Sequence, residues 1–263
     1  MTAPRWKALL RKLPRGSDGK AVGLKEMLSS FRSATATPHG WRMVLLSIAL
    51  SAFVTWIFVL SGLDWAYFVL TQNLGLFGPL IAADGFGYVF PVLVPAGLFI
   101  AAWTAPRKGY GPAAIAALIS AVLGLAVSMA LKSVAGRVSP PHHEFGADLA
   151  NADNSAGFNF GFMSESILGG WPSSHATVAF AVVVSLMVAL PAARRLHMIC
   201  LILAAFIGIG VTFGFHWLSE FVSGAFIGSS IGLWVGGMTV ARGSLARSPI
   251  TFSDRSQRTH TEL

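Results

Sequence analysis

Trp171-Pro172-Ser173-Ser174-His175 opens an apolar run from Ala176 to Leu190, and the reading of this stretch decides the fold. A Pro-Ser-Ser start ahead of hydrophobic residues reads as a helix N-terminus. Serine supplies a cap, and proline is tolerated at the helix start because its missing N–H would have no intrahelical partner there. The uncapped amides and the positive end of the helix dipole make such a start an anion site. His175 stands in the first turn, placed to pass a proton to or from an anion held there. Taken alone, the stretch reads equally as an ordinary capped membrane helix with an interfacial histidine. The sequence on either side tips the balance.

Hydrophobic residues make up 54% of the 263-residue chain and charged residues 11%, whereas about a quarter of a soluble domain is charged. Mean hydropathy is +0.65. The apolar residues gather in runs near the length of about 20 that crosses a bilayer core as a helix. These features predict a polytopic membrane protein. Cys200 is the one cysteine and lies in an apolar run, which excludes an intrachain disulfide and a cysteine-based metal site. The net charge of +8 raises nucleic acid as a partner, but its distribution argues for membrane topology, so the expected partner is the lipid bilayer and not nucleic acid.

Residues 1–40 are polar and basic and read as a cytoplasmic tail resting on anionic lipid, too long for a signal-peptide n-region. Within it Trp6, Leu9, Leu10 and Leu13 make a weak amphipathic stripe, read as surface-resting. Six spans follow in a membrane domain over 41–241, at about 43–61, 86–104, 112–131, 173–190, 196–214 and 217–240. A polar cytoplasmic tail covers 242–263. Residues 63–85 contain Asp64, Asp84, Gly75, Gly78 and Pro79, with room for a short apolar helix between, and are too broken for a span, which places them at the outer interface. Pro91 and Pro95 should kink the second span unless neighbours re-satisfy the backbone.

The cations fix the orientation. Seventeen of the nineteen Lys and Arg residues fall in the proposed inner segments. The positive-inside rule then puts both termini in the cytoplasm, as suits a bacterial inner membrane. Only Lys132 and Arg137 fall outside, together at one loop entrance. In the sixth span Gly224, Gly228, Gly232 and Gly236 share one face. Small residues at that spacing permit close helix approach, within the bundle as the preferred reading or between protomers of an oligomer.

Three clusters stand at the predicted outer ends of the spans. Lys132 ends a helix that Gly136 can break, turning Arg137 back toward it; the plain alternative is a snorkelling pair. The second cluster is the stretch quoted above. In the third, His216 and Glu220 lie four apart and share a face if the sixth helix begins near His216. A carboxylate on one imidazole nitrogen fixes the tautomer and makes the other nitrogen more nucleophilic. Each cluster alone is weak. Two cations, a helix N-terminus with a histidine, and a His–Glu dyad at one membrane face together make a phosphate site, in which His216 attacks phosphorus and His175 protonates the departing oxygen.

These residues resemble the membrane branch of the type 2 phosphatidic acid phosphatase (PAP2) and vanadium haloperoxidase superfamily. Its membrane members have six spans and the motifs K-x6-R-P, P-S-G-H and S-R-x5-H-x3-D. Lys132 to Pro140 matches the first, Pro172-Ser173-Ser174-His175 the second with Ser174 for glycine, and His216 to Glu220 the end of the third with Glu220 for aspartate. The resemblance covers about residues 43–240. It implies an all-α six-helix bundle with the active site at the outer face. By resemblance His216 becomes phosphorylated, Glu220 orients it and His175 is the general acid. Lys132, Arg137, Ser173 and Ser174 are the expected substrate contacts, and the chemistry needs no metal or other cofactor.

Two departures stand out. Ser139 occupies the place of the first motif's arginine, and Ile209-Gly210 that of the third motif's Ser-Arg. Charged hydrogen bonds are worth about 1.5–3 kcal/mol each. Losing two costs about 3–6 kcal/mol, roughly two to four powers of ten in rate. Arg137 is read as covering one deficit, since the family's first motif often carries an arginine there. His142 and His143 would cover the other if protonated, though a solvated loop pair is preferred. Phe158, Phe160 and Phe162 either contact lipid chains, cap the cleft, or simply pack within the loop. The expected function is hydrolysis of a membrane lipid phosphate or diphosphate. Transfer of the phosphoryl group to another lipid, and a catalytically silent protein that binds or carries lipid phosphates, are the alternatives.

Overall fold

The computed structural model describes residues 38–105, 109–141, 153–163 and 170–245. The basic tail with its Trp6 stripe, His142 and His143, most of the loop between 142 and 169, and the chain beyond 245 lie outside the described residues. Seven helices are described: α1 Pro38–Leu60, α2 Leu63–Gln72, α3 Phe77–Thr104, α4 Tyr110–Lys132, α5 Ser174–Ala189, α6 Arg194–Gly210 and α7 Leu218–Leu245. A single 3-10 turn, Val211–Phe213, follows α6. The polar loop after α4 adds what an all-α reading omits, a two-stranded antiparallel pair of β1 Ala135–Arg137 and β2 Phe158–Phe160. Its register sets Arg137 opposite Phe158.

Among the described residues, five helices are long and apolar enough to cross a membrane: α1, α3, α4, α6 with its 3-10 turn, and α7. The chain is an integral membrane protein. The expected fourth span, α5, has 16 residues, about 24 Å at 1.5 Å per residue. That is below the length of the other five. It lies at the centre of the bundle, buried on nearly every side between α4, α6 and α7.

The second expected span needs correction. Helix α3 begins at Phe77 rather than near 86 and runs unbroken through Gly85, Gly87, Pro91 and Pro95. Pro79 falls in its first turn, where proline removes no intrahelical hydrogen bond. Gly87, within α3, lies where a side chain would collide with His175. The short helix allowed for in the stretch before α3 is α2, whose Asp64 is buried.

Side chains sort as a membrane bundle requires. Leu45, Leu46 and Phe53 on α1, Val92 and Leu93 on α3 and Ile202 on α6 are exposed, an apolar outer surface suited to lipid. The interior holds small apolar residues, with Ala113, Ala114 and Ala117 of α4 against Val178, Val182 and Leu186 of α5. Gly224, Gly228, Gly232 and Gly236 all face α5, within the chain; at Gly228 an added Cβ would lie 2.2 Å from the Thr177 carbonyl oxygen. The glycine stripe is therefore occupied by the bundle itself. An oligomer would have to use another face.

Candidate active site

His216 is placed by the tight exit from α6. The amides of Phe215 and His216 both donate to the Val211 carbonyl, 3.0 Å each. Trp217 is buried, and its Nε1–H donates to the Val138 carbonyl at 2.8 Å. Helix α7 starts at Leu218, so His216 precedes the helix instead of opening it. Its Nδ1–H nonetheless donates to Glu220 Oε2 at 2.6 Å. With Nδ1 committed to a carboxylate, the lone pair resides on Nε2.

His175 is placed by the capped start of α5. Ser173 has extended backbone angles, and its Oγ accepts a long bond, 3.5 Å, from the Ala176 amide. The Ser173 amide donates to the Glu220 carbonyl at 3.2 Å, which pins the start of α5 to the first turn of α7. Trp171 Nε1–H, at 2.9 Å from both Thr55 Oγ1 and Ser223 Oγ, ties the same stretch to α1 and α7. The rings of His175 and His216 end with centroids 6.3 Å apart. The two serines diverge: Ser173 is fully buried in the cap, while Ser174 lines a cavity, its buried Oγ without a hydrogen bond among the described residues.

That cavity, about 390 Å³, brings the three clusters together. Lys132, Ser174, His175 and His216 stand in its wall. From them it continues between α3 and α4 over Pro91, Val92, Leu118, Val122 and Leu125, an apolar lining.

Arg137 does not line it. Its guanidinium is buried behind Glu220 and its donors are taken: Nη2 to Asp64 Oδ2 at 2.8 Å, Nη1 to Ser219 Oγ at 2.9 Å, and Nε and Nη2 to the Ser155 carbonyl at 2.9 and 2.6 Å. Nη1 lies 3.6 Å from Glu220 Oε1, and the group sits over the rings of Phe158 and Trp217. Asp64 completes the knot by accepting from the Ser219 amide and hydroxyl at 2.9 and 2.6 Å. Sequence reasoning set Arg137 on the substrate; the structure makes it a strut that steadies the Glu220 side of the site. Phe158 packs on Trp56 and Arg137, while Phe160 and Phe162 are exposed.

The missing arginines have a local cause at one position. An added Cβ at Gly210 would lie 2.3 Å from Ala83 Cβ, so the first turns of α3 fill the space an arginine would need. Ser139, at the other, is half-buried. The same part of α3 brings Asp84 to His175, with Oδ1 3.3 Å from Nε2. Sequence reasoning assigned Asp64 and Asp84 no role. The available signal was their cost: a carboxylate in an apolar run has to find a partner. Among the described residues no three His, Cys, Asp or Glu side chains converge to hold a metal ion.

A family model described as the PAP2 superfamily matches residues 113–243. No curated protein and no solved structure matches the chain.

Proposed function

Because this chain belongs to the PAP2 superfamily, in general a family of phosphoric ester hydrolases, we propose that it is a membrane lipid phosphatase that hydrolyses a lipid phosphate or diphosphate. The observation that carries this reading is the shared cavity wall of Lys132, Ser174, His175 and His216, with His216 held by Glu220. His216 Nε2 attacks phosphorus while His175 gives its proton to the leaving oxygen, so that an N–P bond forms as the ester P–O bond breaks. Water then attacks the phosphohistidine, and the neutral His175 takes up the proton it loses. Lys132, the Ser174 hydroxyl and the amides at the start of α5 neutralise the phosphoryl oxygens.

The apolar continuation of the cavity supports a lipid substrate. Along α4, Leu118 to Lys132 spans about 21 Å, room for a hydrocarbon chain whose phosphate reaches the histidines. The cation distribution supports an outward-facing site with both termini cytoplasmic in a bacterial inner membrane.

Purified protein is expected to release inorganic phosphate from lipid phosphates, and His216→Ala and His175→Ala to abolish release. Unchanged release in both variants would remove the mechanism. The sequestration of Arg137 and the filled space at Gly210 favour one second reading, a silent protein that binds or carries lipid phosphates. Retained binding without turnover across a broad substrate panel would select it.

A further inference from the structure

We infer that Asp84, outside the residues matched by the family model, is a positioning residue that keeps His175 in its proton-donating form and orientation. The inference deepens the proposed function and rests on His175 being the general acid. Three residues on one face of α3 surround the His175 ring. Asp84 Oδ1 lies 3.3 Å from Nε2, Tyr88 meets the ring edge-to-face at 5.0 Å, and Gly87 between them leaves the gap the ring occupies. A Cβ at Gly87 would lie 2.0 Å from His175 Cδ2 and 2.9 Å from Nε2. The Cδ2–Nε2 edge therefore faces α3, and Nδ1 is the ring atom opposite that edge.

The surroundings explain why such a carboxylate is needed. From the other elements His175 is faced by Lys132 of α4, in the same cavity wall, and by the His216 ring. Neither nitrogen of His175 makes a hydrogen bond among the described residues, so Asp84 stands at ion-pair distance without hydrogen-bond alignment, and both ring nitrogens are buried. Lost water, the neighbouring His216 and the Lys132 cation all disfavour an imidazolium. The carboxylate facing the ring is Asp84, whose side chain is 28% exposed. Its 3.3 Å separation is longer than the 2.7–2.9 Å of a good charge-assisted bond, as catalytic contacts often are before substrate binds. The proton at Nε2 is held toward Asp84, the proton at Nδ1 goes to the leaving oxygen, and Asp84 itself stays ionised throughout.

Two measurements on the full chain in detergent test this. The first is the titration of His175, by NMR of isotope-labelled histidine, in the wild type, Asp84→Asn and Asp84→Glu. The midpoint should fall by about one pH unit or more in Asp84→Asn and return toward wild type in Asp84→Glu. The second compares an alkyl phosphate with a nitrophenyl phosphate, whose leaving group departs without a proton. Asp84→Asn should lose at least about tenfold in kcat on the alkyl ester, be nearly unaffected on the aryl ester, and show its alkaline limb at lower pH. An unmoved His175 titration, or equal losses on both esters, overturns the assignment. If the wild type turns over neither ester, the phosphatase reading fails, while the titration still decides whether Asp84 acts on His175.

Discussion

At the scale of single residues the site is a chain of carboxylates behind nitrogens. Glu220 holds His216, Arg137 backs Glu220, and Asp64 holds Arg137. Glu220→Gln keeps the shape but loses the charge that favours a nucleophilic Nε2, and kcat should fall by about 10²–10⁴-fold, with little change in thermal midpoint. Arg137→Met differs in kind. It strands Asp64 without its ion pair inside the protein, and breaking such a pair costs about 3–5 kcal/mol. Thermal unfolding in detergent should show a large loss, and a simultaneous Asp64→Asn should restore part of it. The pairing of His216 with Glu220 was legible in the sequence because it depends on a short local spacing. The partners of Arg137 were not, since Asp64 and Ser219 stand 73 and 82 residues from it in the chain. Nothing in the sequence says that a cation aimed at an anionic substrate will turn to an internal carboxylate instead.

At the scale of elements, α5 sets the geometry, and the closeness of α7 to it sets the position of the histidines. The glycines of α7 allow that approach, and their stripe was visible in the sequence, as was the preference for packing within the bundle. Gly228→Ala should destabilise by about 1–3 kcal/mol, because its Cβ meets backbone at Thr177. Gly237→Ala, with nothing within 4 Å of the added Cβ, should be neutral in the same thermal assay. Helix α3 shows the opposite case. Gly78, Pro79 and Gly85 look like breakers to local rules, yet they lie on the exposed face of a 28-residue helix whose other face packs against α5, α6 and α4. Local propensity is a weak signal where neighbouring helices hold the opposite face. The missed start of α3 is why Asp84 was left at the interface.

For the whole molecule, the membrane character was legible from composition and run length, and the bundle has the expected apolar exterior and buried polar groups. The convergence of the segments carrying Lys132, His175 and His216 on one cavity is a property of the entire fold and of no single stretch. The central claim is that a phosphoryl group passes through His216 in that cavity. The most direct measurement is mass spectrometry of peptides from protein mixed with a lipid phosphate and quenched in alkali, where phosphohistidine survives. Phosphate should appear on His216 in the wild type and be absent from His216→Ala. No phosphohistidine at His216 while the protein turns over substrate, or phosphate on another side chain that persists in His216→Ala, would contradict the account.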